Sequence, residues 1–416
     1  MLSDKELFHW PIVTDEEVEA VAAVMRDGAA PSGTDITREF EREFAAWHGV
    51  KYGLGTCNGT AALNAAFWAC GVGAGDEVIA PSVTYWASCA GVLRLGAKVV
   101  FADVDPATLC IDPDEVERLV TPRTRAVIVV NYGAMPADWD RLLPIARRRG
   151  LRVIEDNSHA QGSRYKGRLC GTFGDISAAS LMSGKAFAIG EGGILLTDDR
   201  ELYERCAAYG HYERTGAASR FNPATADVTL PELVEYRGIA LGGVKDRMNQ
   251  MCSARGLIQL KYYAERISEI GRAMEFFCDG LDAIPGLKAI RPAPESGSDK
   301  GGWYFPLARF DRAAFGGKSA EEFAAAVAAS GLYHCAAGAN KPLHRHPYFS
   351  TFDFFHQGKP TAEAFGIPGP RADERPLPVA EATPDTIFQL PWFKRFDREA
   401  IGRYVEGFAR VAEALR

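Results

Sequence analysis

The chain has 416 residues, 47% of them hydrophobic, with 42 glycines, 23 prolines and a formal charge of −7 at neutral pH. This is ordinary globular composition, long enough for two or three domains and a large core. The mild acidity offers no field for nucleic acid or an anionic membrane, and no apolar run is long enough to span a bilayer. Nine irregularly spaced cysteines without a Cys-x-x-Cys pair argue for reduced thiols, against a disulfide framework or a zinc site. Residues 1–11 show no charged start followed by an apolar run, so the expectation is a soluble, cytoplasmic protein.

In chain order, Thr14 with Glu17 three residues on reads as the capped start of a helix that runs to Asp27 and stops at Gly28. A loop with Pro31 and Gly33 follows. Residues 36–48 read as a helix with Phe40, Phe44 and Trp47 on one face. Residues 52–60 are a short strand and a small polar turn, leading into the helix of Ala61, Ala62, Leu63 and their successors. The free N–H groups at such a helix start can hold a phosphate, although an ordinary strand–helix turn has the same look.

The rhythm then repeats. Strands are expected at 76–81, 98–103, 125–130 and 151–156, and helices from 82, over 112–120 with Pro113 in the first turn, and over 138–149. Such alternation implies a mostly parallel sheet covered on both faces, with ligands beyond the carboxyl ends of its strands. That puts the 56–60 turn, Tyr85 and Asp156 near one rim. A strand at 194–197, a helix at 199–209, a polar excursion at 210–245 and a long helix at 249–270 come next. Beyond 272 the rhythm changes. Helices at 272–282, 319–330 and 398–415, strands near 287–291, 303–309 and 387–390, and a long loop at 350–385 suggest a second, smaller α+β domain. The expected division is 1–255 and 256–416.

Between 174 and 193, Lys185 sits in a small, nearly uncharged stretch, with Ser180 five residues before it and Gly190, Gly192 and Gly193 after it. Burial and a neighbouring cation would free such an amine for chemistry near neutral pH. An amine of this kind working through a phosphorylated pyridine aldehyde needs a phosphate cup, a carboxylate for the pyridine nitrogen and a flat side chain against the ring.

Taken in order, five stretches carry a likeness: 58–63 (Asn-Gly-Thr-Ala-Ala-Leu), 75–82, 154–162 (Ile-Glu-Asp-Asn-Ser-His-Ala-Gln-Gly), 174–193 and 341–348. The sequence resembles, from about residue 10 onward, the DegT/StrS sugar aminotransferases, a family of fold-type I pyridoxal 5′-phosphate (PLP) enzymes. The resemblance implies a large α/β/α domain and a smaller C-terminal α+β domain. It makes Lys185 the lysine that holds PLP as an internal aldimine, and Asp156 the partner of the pyridine nitrogen. It puts His159 near the phenolic oxygen, Tyr85 (not Trp86) on the ring, and Gly59, Thr60 and Ser180 on the phosphate. Where the family has an asparagine that reaches the neighbouring subunit's phosphate, this chain has Lys245, which either contacts that phosphate or faces solvent. His344 falls in a stretch near the family's substrate pocket, so substrate contact and packing both remain open. The implied reaction moves an amino group from glutamate or glutamine to a keto-sugar, nucleotide-linked, or to a ketocyclitol, in a homodimer with a shared active site, without metal. A sugar dehydratase, in which histidine replaces the lysine, and a non-catalytic regulatory relative are the alternatives.

Overall fold

A computed structural model describes residues 1–27, 35–216, 227–332, 335–367 and 375–416. The expected helix stop at Gly28, the loop with Pro31 and Gly33, and parts of the 210–245 and 350–385 stretches lie outside them. Helix α1 (Asp4–Phe8) is closed by a capping box of Ser3 and Glu6. In α2 (Asp15–Arg26) the Thr14 hydroxyl accepts from the Glu17 N–H. Helix α3 (Asp35–His48) buries Phe40 and Phe44.

The alternating middle of the chain supplies β1 (Tyr52–Thr56), α4 (Gly59–Ala69), β2 (Glu77–Pro81), α5 (Ala87–Arg94), β3 (Lys98–Ala102) and α6 (Pro113–Leu119). It continues with β4 (Thr124–Val130), α7 (Trp139–Arg149), β5 (Arg152–Asp156), β6 (Ile176–Ser180), β7 (Gly193–Thr197) and α8 (Arg200–Gly210). The seven strands form one sheet in the order β1-β7-β6-β5-β4-β2-β3. All pairings are parallel except those of β7, which runs against both β1 and β6. The fold is therefore α/β with a mostly parallel central sheet. Val127, Ile128, Val129 and Val130 show why: β4 is central and buried on both faces, so the strand is apolar without alternation.

Helix α9 (Gln250–Asp282) is one element of 33 residues. The sequence reading broke it near 270, at Gly271. A glycine there destabilises a helix by only about 1 kcal/mol relative to alanine, and packing against α2, α3 and the last helix carries it through. The expected 255/256 division falls inside α9. Beyond it, β8 (Leu287–Ala289), β9 (Leu307–Phe310), β10 (Ala336–Ala337) and β11 (Ile387–Gln389) form a second, antiparallel sheet. Helices α10 (Ala320–Ala329) and α12 (Arg398–Leu415) cover it around a core of Phe277, Phe323, Phe388 and Phe408. Leu7 of α1 joins this core.

Two local expectations differ from the structure. The helix expected from Ser82 starts at Ala87, leaving 82–86 as a loop at the sheet rim. The 350–385 stretch is not all loop: it holds α11 (Pro378–Thr386), whose first free amides, those of Val379 and Ala380, donate to the Asp103 carboxylate at 3.0 and 2.8 Å. Among the described residues no helix is long and apolar enough to cross a membrane, and no cluster of three or more His, Cys, Asp or Glu could hold a metal.

Candidate active site

Strand β5 ends in two acids, and strand alternation sends them to opposite faces. Glu155 turns away from the rim. Its carboxylate accepts the Asn131 amide and the backbone N–H groups of Gly171 and Phe173, and burial raises its pKa. Asp156 faces a cavity of about 430 Å³ at the carboxyl ends of the strands. The Ser88 hydroxyl donates to its Oδ2 at 2.7 Å and the Ser158 N–H to its Oδ1 at 3.0 Å. Ser88 in turn takes a hydrogen bond from the Thr84 hydroxyl. The first turn of α5, steadied by Thr84 of the loop before it, thus orients the carboxylate.

Lys185 enters the same cavity from the loop between β6 and β7. That loop is closed by Ser183 N–H to Gly190 O and Lys185 N–H to Met182 O, both 2.8 Å. The Trp10 indole N–H donates to the Lys185 carbonyl at 2.8 Å. Burial pulls the Lys185 amine down to about 8, against the nearby Asp156 carboxylate, which favours the ammonium. The free amine is therefore far more accessible near neutral pH than in an ordinary lysine, at roughly a tenth of the population. Its Nζ lies 4.2 Å from the centre of the Tyr304 ring.

The third wall is the start of α4. Asn58 caps it, accepting the Ala61 N–H at 2.9 Å, so the N–H groups of Gly59 and Thr60 remain the first unpaired donors of the helix. Gly59 has a packing reason: a Cβ there would lie 2.7 Å from the Ser180 Cβ. Gly193 has another, since its Cβ would fall 2.4 Å from the Asn58 carbonyl. Glycine at both positions brings the helix start down onto β6 and sets the Ser180 hydroxyl beside it. The small, weakly patterned Ile-Ser-Ala-Ala-Ser of β6 reflects the same closeness, and it is why residues 176–180 carry no strand pattern.

His159 lines the cavity between the rings of Tyr132 and Tyr304, with centroids 5.4 and 4.8 Å away. Burial, then the Lys185 charge, pushes its pKa well below the usual histidine value. Its Nδ1 accepts the Gly133 N–H at 3.3 Å, which leaves the ring proton of the neutral imidazole on Nε2. Tyr85 stands at the mouth, 49% exposed, beside Trp86.

The structure thus gathers Gly59, Thr60, Tyr85, Asp156, His159, Ser180 and Lys185 around one cavity. It does not bring His344 there. That side chain is fully buried, bonded to the Ser82 hydroxyl at 2.7 Å and to Glu381 at 2.9 Å. The His344 hydrogen bond, with help from Arg345, holds the Glu381 carboxyl down at about 2. His344 therefore pins its segment to the end of β2, and Asn340 of that segment, tied to the Tyr132 hydroxyl, reaches the cavity. Lys245 is exposed, 5.5 Å from the Tyr212 ring and outside the cavity of its own chain. Sequence reasoning missed Ser88, Glu191, Tyr304, Phe305 and Asn340. Glu191 alone had a signal, its place in the Gly-Glu-Gly-Gly turn after Lys185.

The fold is an α/β enzyme fold, and its sheet rim holds a cavity lined by one amine, Lys185, with the Asp156 carboxylate. The chain matches the DegT/DnrJ/EryC1/StrS aminotransferase family over residues 11–409 and belongs to it. It is 35% identical over 380 residues to the L-glutamine:2-deoxy-scyllo-inosose aminotransferase of Micromonospora echinospora, covering 89% of this chain and 86% of that one. It is 33% identical over 340 residues to the spore coat polysaccharide biosynthesis protein SpsC of Bacillus subtilis, covering 82% and 84%. Its fold is similar to the X-ray structure of the aminotransferase from Psychrobacter cryohalolentis, with a TM-score of 0.82, 27% identity, and 98% and 99% of the two chains covered.

Proposed function

We propose that this chain is a PLP-dependent aminotransferase that moves an amino group from glutamate or glutamine to a nucleotide-linked keto-sugar or a ketocyclitol. The observation that carries the reading is the buried Lys185 amine, lowered to about 8, in one cavity with Asp156 and the open start of α4. The family and the relative that uses L-glutamine on an inosose support the donor and the class of acceptor.

The residues fit the cofactor on three counts. The unpaired amides of Gly59 and Thr60, with the Ser180 hydroxyl, suit its phosphate. Asp156, oriented by Ser88 and Ser158, suits a protonated ring nitrogen. Tyr85 offers a flat face at the mouth, and His159 an Nε2–H for the phenolic oxygen. When bound, PLP supplies an aldehyde that takes up the donor nitrogen and a pyridinium that draws electrons from the adjoining carbon.

The protein's own part is proton handling. Lys185 Nζ takes the proton from the donor's α-carbon and later returns one to the acceptor carbon, a task suited to an amine poised near working pH. Asp156 keeps the ring nitrogen protonated throughout. Tyr304 and Phe305 shield the amine from water. Lys245, outside its own chain's cavity, would reach the phosphate of a second copy with a charge-assisted bond, giving a homodimer with shared sites. A cytoplasmic location and the 1–255 and 256–416 division belong to the same proposal.

The test is purified protein supplied with PLP. A visible absorbance band and a borohydride-trapped adduct on Lys185 are expected, and neither in Lys185→Ala. Absence of both in the wild type sinks the reading. Keto-sugars and ketocyclitols are then screened against the aminated form.

A further inference from the structure

Tyr304 and Phe305 separate the catalytic cavity from a second chamber of about 320 Å³ and line both. The partition is a turn in which Trp303 and Phe305 take left-handed backbone angles, φ 55° and 56°. Non-glycine residues adopt that region seldom, and such strain persists only where the surroundings hold it. Here the Trp392 indole N–H grips the Gly302 carbonyl at 3.0 Å. Gly184, next to Lys185, also faces the second chamber.

Lys394 lines this chamber, only 5% exposed. Its ammonium donates one hydrogen bond, to the Trp392 carbonyl at 3.1 Å, and lies against the Trp392 ring. Among the described residues no carboxylate pairs with it. Two of its three donors are unused, and burial drives its amine well below the usual lysine range. A buried ammonium without a counter-ion is unfavourable, and an anion entering the chamber relieves it. Among the residues lining the two chambers, Lys185 and Lys394 are the only lysine or arginine side chains. Lys185 is committed to proton transfer. An amino-acid donor nevertheless brings at least one carboxylate into the site.

Resting on the aminotransferase reading, we propose that the second chamber is the subsite for a carboxylate of the amino donor, with Lys394 as its counter-ion. The donor nitrogen faces Lys185, and the carboxylate lies beyond the Tyr304 ring. That ring packs edge-on against Trp392, with centroids 5.5 Å apart.

The experiment uses the PLP-loaded protein and glutarate, a dicarboxylate with no amino group to transfer. Calorimetry in buffers of different ionisation heat should show binding accompanied by proton uptake, because burial depresses the Lys394 amine and the anion favours its ammonium. Lys394→Met should weaken glutarate binding roughly 10- to 100-fold, the loss of a hydrogen-bonded charge, and abolish the uptake. Lys394→Arg should keep the binding and lose the uptake, and it also serves if the methionine variant does not fold. In steady state, Lys394→Met should raise the KM for the donor with little change in kcat, and leave the acceptor half-reaction alone. Unchanged glutarate affinity and donor KM overturn the proposal. So does a defect confined to the acceptor half-reaction, or Lys394-dependent binding of pyrophosphate but not glutarate, either of which gives the chamber to an acceptor phosphate. Glutarate binding needs no turnover, so a protein that fails to transaminate still tests the subsite.

Discussion

Lys185 and Lys300 are both buried lysines on loops, and burial lowers each to about 8. One loop crosses the rim of the large sheet; the other leads into the turn before β9. Lys300 spends its ammonium on the Ile290 carbonyl at 2.8 Å and sits 4.8 Å from the Trp303 ring, with no cavity in reach among those described. Lys185 has open space, a carboxylate near enough to feel, and a backbone pinned by Trp10. A lowered amine therefore marks burial alone. Access and the neighbouring acid are what distinguish Lys185 from Lys300.

The largest effect that sharpens this contrast is on turnover. Lys185→Ala should lower transamination by ~10³-fold or more, while Lys300→Met should leave the rate within a few-fold. Comparable losses in both would erase the distinction. Next, Asp156→Asn should lower kcat by ~10²–10³-fold, the scale of removing one oriented electrostatic partner, with folding checked by circular dichroism. Smaller is a shift in reactivity. In cofactor-free protein, an amine reagent read by mass spectrometry should label Lys185 with a midpoint near pH 8 and Lys300 only on unfolding. Asp156→Asn should move the Lys185 midpoint lower, because Asp156 favours the ammonium.

The smallest effect concerns stability. A lysine whose folded value is depressed destabilises the fold fully below about pH 8, where both states are protonated. The penalty fades as pH rises from about 8 toward the unfolded value of 10.5. Any stability that Lys300→Met gains over the wild type should therefore shrink across that window, as followed by denaturant midpoints. A difference that is flat with pH would mean Lys300 is not depressed.

Much of the candidate site could be read from the chain because its parts are local. A capped helix start, a strand ending in acid and a glycine-rich return each announce themselves within ten residues. The acid itself needed parity: Glu155 and Asp156 look alike in sequence, and only the alternation of β5 sends one to the loop amides and the other to the cavity. Tyr304 and Asn340 could not be read, since they arrive from more than a hundred residues further along, on irregular turns held by Trp392 and Tyr132. His344 shows the converse. Its place in a Pro-Leu-His stretch left substrate contact and packing both open, and only its burial between Ser82 and Glu381 shows the packing. Helix α11 was hidden because its cap, Asp103, lies on a different part of the chain.

The Trp10 contact has a consequence for the order of events during synthesis. The same segment that grips the Lys185 carbonyl is itself held by residues made much later: Lys394 N–H donates to the Leu7 carbonyl, and the Leu2 N–H to Asp397. Phe8 packs on Phe393 and Tyr404. On the ribosome, the large sheet can assemble while this clasp still hangs open. The lysine loop acquires its final brace only after residues near 400 have emerged, so a nascent chain stalled short of them would hold every residue of the cavity floor without a fixed amine.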